Sequence, residues 1–182
     1  MALGMAAAAL HVQRALVARV EAQLSDEATG AAAMVRAYAV PWPADVDYPT
    51  RLYDEPPPDT LPCYRLGALS VDEEGSGASR VYELSQTLEV LASPVMGRPT
   101  VLALAAALEQ ATLAQDTPEI TRWPQETLAV SSVDGTITST RLHIVDTRTD
   151  GLRIVLSELG GVLVYIAQME LRLSMWEPEN AA

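Results

Sequence analysis

Residues 81–93 read VYELSQTLEVLAS, and their alternation decides the fold. Tyr82, Leu84, Leu88, Val90 and Ala92 fall on one face, and Glu83, Ser85, Thr87 and Glu89 on the other, with Gln86 alone out of pattern. A period of two is that of a strand with one face in a core. Directly after it, Val101, Leu104, Ala105, Leu108 and Thr112 recur at helical spacing, so a helix is predicted across the face the strand buries. Either Thr100 caps that helix or Arg98-Pro99 starts it a residue early, and its end is expected near Asp116 to Pro118.

Working back, RLYDEPPPDTLPCYRLG (residues 51–67) gives a short strand at Arg51 to Asp54, a stiff polyproline turn and a second strand. The next stretch, SVDEEGSGASR (70–80), sets Asp72, Glu73 and Glu74 beside Gly75, Ser76 and Gly77. Such a segment buries little, so Val71 to Arg80 is expected to be a mobile loop that orders on a partner, with Arg80 closing it.

The chain begins with an amphipathic helix over about 5–25, whose stripe is predicted to contain Leu10, Leu16, Val17, Val20 and Leu24 and which is expected to end by Gly30. Beyond it, MVRAYAVPWPADVDYP (34–49) reads as an extended, exposed arm over about 34–50, broken by Pro41, Pro43 and Pro49, with Trp42 and Tyr48 as its sticky side chains.

Downstream, TLAVSSVDGTITSTRLHIVDT (127–147) is two extended arms about Asp134-Gly135, the dipeptide of a tight hairpin turn and a second candidate contact. Leu152 to Leu156 is a short strand, and Gly160-Gly161 turns into VLVYIAQMELRLSMW (162–176). There Leu163, Tyr165, Ala167, Met169, Leu171, Leu173 and Met175 share one face; the first half is apolar on both, which places this strand inside the sheet. The expected architecture is α+β, a mainly antiparallel β-sheet with two helices packed on one face, as a single domain over 1–182.

At 182 residues, such a domain needs no disulfide or metal to hold it. The single cysteine, Cys63, cannot form an internal disulfide and is expected to be a small buried residue. The net charge is −12, every one of the 12 basic residues is Arg, and they are scattered singly, a poor basis for gripping phosphates. Residues 1–10 are apolar but lack a basic leader, and no apolar run approaches the roughly 20 residues of a membrane span, so a cytosolic, membrane-free chain is expected.

Chemistry is hard to find. His11 and His143 have no Cys, Asp or Glu at ligand spacing and read as ordinary core or surface histidines. Asp72, Glu73 and Glu74 could be drawn as a metal or general-base cluster, but adjacent carboxylates beside glycines are ordinarily solvated. GSG at 75–77 lacks the GK[ST] ending of a phosphate loop, and Ser76 and Ser79 have no placeable histidine. No catalytic residue, cofactor or metal is expected.

The order of these segments resembles the small tail-completion or tail-terminator proteins of long-tailed phages and gene-transfer particles. That family has an N-terminal helix, a V-Y-D-x-x-P-P strand and loop, a P-[YC]-Y-x-x-[IL]-G strand, a glycine-rich loop, a V-x-V strand, an indexing helix and closing strands around a D-G turn. The counterparts here are RLYDEPPP, LPCYRLG, EEGSG, LSQTLEVLAS, VLALAAALEQATLA and VSSVDGTITS. The resemblance implies a virion protein, made in the host cytoplasm and placed at the tail–neck junction. There it forms a ring, most often of six copies, that caps the tail tube, stops its growth and meets the head-neck connector or stopper, with DNA passing through unbound. A neighbouring neck protein, or a small α+β enzyme or ligand-binding domain whose site assembles only in three dimensions, are the alternatives.

Overall fold

The computed structural model describes residues 4–57, 59–75, 80–113, 128–131, 137–140 and 143–177. They form an α+β arrangement. Helices α1 (Met5–Leu24), α2 (Ala31–Ala37) and α3 (Gly97–Leu113) accompany strands β1 (Leu52–Tyr53), β2 (Cys63–Glu74), β3 (Arg80–Ala92), β4 (Leu128–Ser131), β5 (Ile137–Thr140), β6 (His143–Leu159) and β7 (Val162–Glu177). The main sheet has the order β1-β2-β3-β7-β6; its short β1 is parallel to β2, and every other pair is antiparallel.

Strand β3 lies at the centre of that sheet, with Tyr82, Leu84, Leu88, Val90 and Ala92 buried on one face as their spacing predicts. Against this face pack Val101, Leu104, Ala105 and Leu108 of α3, with α1 and α2 alongside. The Tyr64 hydroxyl donates to the Leu104 carbonyl at 3.0 Å, pinning β2 to the helix; complete burial pushes its phenol pKa up.

Several boundaries differ from the sequence reading. The buried stripe of α1 is Ala8, Val12, Leu16, Val20 and Leu24, each one turn from the next, whereas Leu10 is exposed. Leu10 lies two residues, about 200° of helical rotation, from Val12, so the i, i+4 ridge that buries Val12 turns Leu10 outward. The helix stops at Leu24, and the Ser25 hydroxyl donates to the Glu21 carbonyl at 2.8 Å.

Gly30 is the N-cap of α2 and does not end the first helix. Its backbone lies so close to the preceding turn that a Cβ there would sit 2.2 Å from the Leu24 carbonyl oxygen. The start of the predicted arm, Met34 to Ala37, is helical, because regular backbone is excluded only where Pro41 and Pro43 begin. The sheet is therefore accompanied by a third, short α-helix beyond the two predicted.

Helix α3 begins at Gly97, three residues before Thr100, whose hydroxyl donates to the Met96 carbonyl at 2.6 Å from inside the helix. Its expected end near Asp116 lies outside the described residues. The short strand expected at Leu152 to Leu156 is part of the much longer β6, which pairs with β7 along its length and carries bulges at Ile144/Asp146 and Asp150/Leu152. Cross-strand pairing overrides the weak strand preference of its Asp and Gly residues. Cys63 is buried, as expected.

Candidate assembly surface

Where the first contact loop was expected to begin and to end, the chain is strand. Asp72, Glu73 and Glu74 close β2 and pair with Glu83, Tyr82 and Val81 of β3, and Arg80 opens β3. The partner strand satisfies the backbone here, an interaction that composition alone does not reveal. Arg80 bridges to Glu73 at 3.0 Å, and Gly75 leaves the strand at φ 113°, a left-handed conformation suited to glycine. Ser76 and Gly77 lie outside the described residues.

Asp134 and Gly135 also lie outside them. The arms on either side pair antiparallel as β4 and β5, Leu128 opposite Thr140 and Ser131 opposite Ile137. Trp42 and Tyr48 are not presented outward as expected: their rings stack at 4.5 Å between centroids, partly buried against the core. The Trp42 indole N–H donates to the Val46 carbonyl at 2.6 Å, so this part of the arm folds on itself.

The face of the sheet away from the helices carries a ladder of polar side chains that the alternation outlines but cannot pair. Register places Arg65, Glu89, Gln168 and Arg153 in one row across β2, β3, β7 and β6. The nearly buried Glu89 accepts from Arg65 Nε at 2.6 Å and from Gln168 Nε2 at 2.7 Å. Farther along, the Ser85 hydroxyl and then the Arg172 guanidinium bond Glu170 and hold its carboxyl below the usual range. Arg172 also reaches Asp150 at 3.2 Å, and the Ser174 hydroxyl lies 2.6 and 2.7 Å from the Glu83 oxygens. These groups are matched to one another across the outer face of the sheet.

Two edges of the sheet are open among the described residues. Strand β1 covers only Tyr64 and Arg65 of β2, and no strand lies beyond β6. Near the β6 edge, Leu152 is 52% and Leu156 54% exposed on the helix side of the sheet, with Leu102 of α3 at 46%. A groove of about 340 Å³ runs there between α3 and β6, lined by Leu102, Ala105, Glu109, Leu152 and Met169.

His11 is buried on α1, its Nε2 has no hydrogen-bond partner among the described residues, and burial lowers its pKa. Among the described residues no three His, Cys, Asp or Glu side chains are placed to hold a metal. No described helix is long and apolar enough to cross a membrane.

No protein-family model matches the chain, and no curated protein matches its sequence. A solved structure does match in fold. A chain from the virion of a native gene transfer agent particle superposes with a TM-score of 0.50 at 19% identity, over 90% of this chain and 97% of that one. At that identity the likeness establishes the shared fold.

Proposed function

We propose that this chain is a structural, non-enzymatic virion protein of a phage-like particle, acting as the tail terminator. In this reading it forms a ring, of six copies by the family resemblance, that caps the tail tube, ends its polymerisation and joins it to the head-neck connector or stopper. It is synthesised in the host cytoplasm and resides at the tail–neck junction. The observation that carries the reading is the fold match to a gene transfer agent virion chain over nearly the whole of both chains. The order of motifs from the N-terminal helix to the closing strands supports the terminator in particular. So does the surface: charged side chains are paired across the outer sheet face, and the strand edges left open among the described residues suit assembly.

Cryo-imaging of particles from the parent locus tests it. One ring of this chain is expected between tube and neck, and deletion of its gene should leave overlong tubes without heads. Density on the head side of the neck would instead assign a neighbouring neck protein, and absence from the particle would overturn the virion role.

A further inference from the structure

We propose that successive copies join through unlike sheet edges, the free flank of β2 in one copy pairing antiparallel with the free flank of β6 in the next. The inference rests on the ring reading above and names the surface the ring would use.

The topology carries the first half of the argument. Strands β2, β3, β7 and β6 alternate in direction, and their number is even, so β2 and β6 run in opposite senses at the two ends of the sheet. Rotating one copy to place its β2 beside the β6 of another therefore gives an antiparallel pair with every helix on the same side. The outward backbone groups of β2 beyond the register slip, from Leu69 to Glu74, which no described strand pairs, meet those along β6, as in strand addition to an exposed edge. A contact between unlike patches repeats from copy to copy and closes into a ring when the rotation allows.

Side chains carry the second half. The free part of β2 has Asp72, Glu73 and Glu74 and no cation, whereas β6 carries Arg148 and Arg153 among Asp146, Asp150 and Glu158, with Arg148 3.6 Å from Asp150. A joint of β2 with β2 would bring together acids and no cation, whereas a joint of β2 with β6 supplies Arg148 and Arg153 to the same seam. On the helix side, Leu69 is 39% exposed on β2, and Leu152 and Leu156 are more than half exposed on β6. A neighbour's β2 edge extends the core side of the sheet and covers those two leucines.

Cysteine cross-linking of the full chain tests the joint. Ser70→Cys is combined in turn with Asp146→Cys, Arg148→Cys, Asp150→Cys, Arg153→Cys, Val155→Cys and Ser157→Cys, positions on one face of β6, while native Cys63 stays buried. At least one double variant is expected to give a ladder of oxidised multimers. Mixing the two corresponding single variants should give a cross-linked dimer and nothing larger, and neither single variant should dimerise alone. A β6 single variant that dimerises by itself shows a two-fold joint and overturns the proposal. Rings in native mass spectra or in particles with no cross-link in any register also overturn it, leaving the ring reading intact. A chain that never assembles, alone or in particles, overturns both. Independently of cysteine folding, Arg148→Glu with Arg153→Glu should raise the concentration for half-assembly by about tenfold, with recovery on adding Asp72→Arg and Glu74→Arg. No change on charge reversal counts against the proposal.

Discussion

Gln86 Nε2 lies 3.1 Å from the Gly67 carbonyl oxygen, a buried amide on the core face of β3 meeting the backbone where β2 slips register between Leu66 and Leu69. The same nitrogen is 3.3 Å from the Ala68 carbonyl and 2.9 Å from that of Thr87, and Gln86 Oε1 accepts from Gln13 of α1 at 3.1 Å. The one residue that breaks the hydrophobic alternation of β3 thus serves the irregular backbone of its neighbour and ties it to a helix.

Gln86→Leu keeps the shape and removes both the donor that serves the part-buried backbone of the register slip and the acceptor for Gln13. A loss of about 1–3 kcal/mol of stability is expected, read as a lower urea midpoint at unchanged slope. An unchanged midpoint would show that water reaches the bulge.

Glu89 anchors the polar row on the opposite face. Glu89→Ala leaves Arg65 and Gln168 facing a nearly buried gap, and about 2–4 kcal/mol is expected to be lost. Arg65→Ala combined with Glu89→Ala should lose less than the sum of the single losses in a double-mutant cycle. Strict additivity would mean that the pair does not act as a unit.

Gly30→Ala forces the new methyl group against the Leu24 and Asp26 carbonyl oxygens, 2.2 and 2.6 Å from the added Cβ. Because both obstacles are backbone, the turn between α1 and α2 must move. About 1–3 kcal/mol is expected to be lost, measurable by thermal or urea unfolding.

Burial raises the Cys63 thiol to about 11, against the smaller opposing pull of Arg65. The folded state therefore holds this proton more tightly than the unfolded chain, whose thiol titrates near 9. The contribution to stability is full below pH 9 and is lost as pH rises through about 11, at a slope of up to about 1.4 kcal/mol per pH unit. Cys63→Ala should flatten the pH dependence in that window, and an aromatic disulfide reagent at pH 8 should label the thiol only after unfolding. Rapid labelling of the native chain would contradict this.

Strand β3 and the second half of β7 were legible because both have one wet and one dry face, which fixes a period. Strands whose stability comes from neighbours were less so. The acids Asp72 to Glu74 have weak strand preference, and β2 continues through them because β3 supplies hydrogen-bonding partners from Val81 to Glu83. The same holds for Asp150 and Gly151 within β6, which β7 carries. In α1, apolar residues surround much of the helix, so periodicity alone could not choose between Leu10 and Val12. The polar composition of the outer face was visible at Glu89 and Gln168, but their pairing required the register. The open edges of β2 and β6 depend on strand order, which no local pattern states.

The charge balance leads to a prediction about DNA. Each chain carries −12, so a ring of such copies surrounds its channel with net negative charge unless cations gather on the inner wall. On the outer sheet face Arg65 and Arg172 are already matched by Glu89, Glu170 and Asp150, which leaves little positive potential for a phosphate backbone. Affinity for duplex DNA depends on cations that release its counterions, and a like-charged wall releases none. The isolated protein is therefore expected to show no retention of double-stranded DNA at physiological salt. Replacing Asp72 and Glu74 by Lys should produce retention that weakens as salt rises, because it adds cations to an exposed strand end. Salt-sensitive retention by the unaltered chain in a gel shift would reject the passive conduit and show a nucleic-acid grip, with Arg148 and Arg153 the first residues to replace.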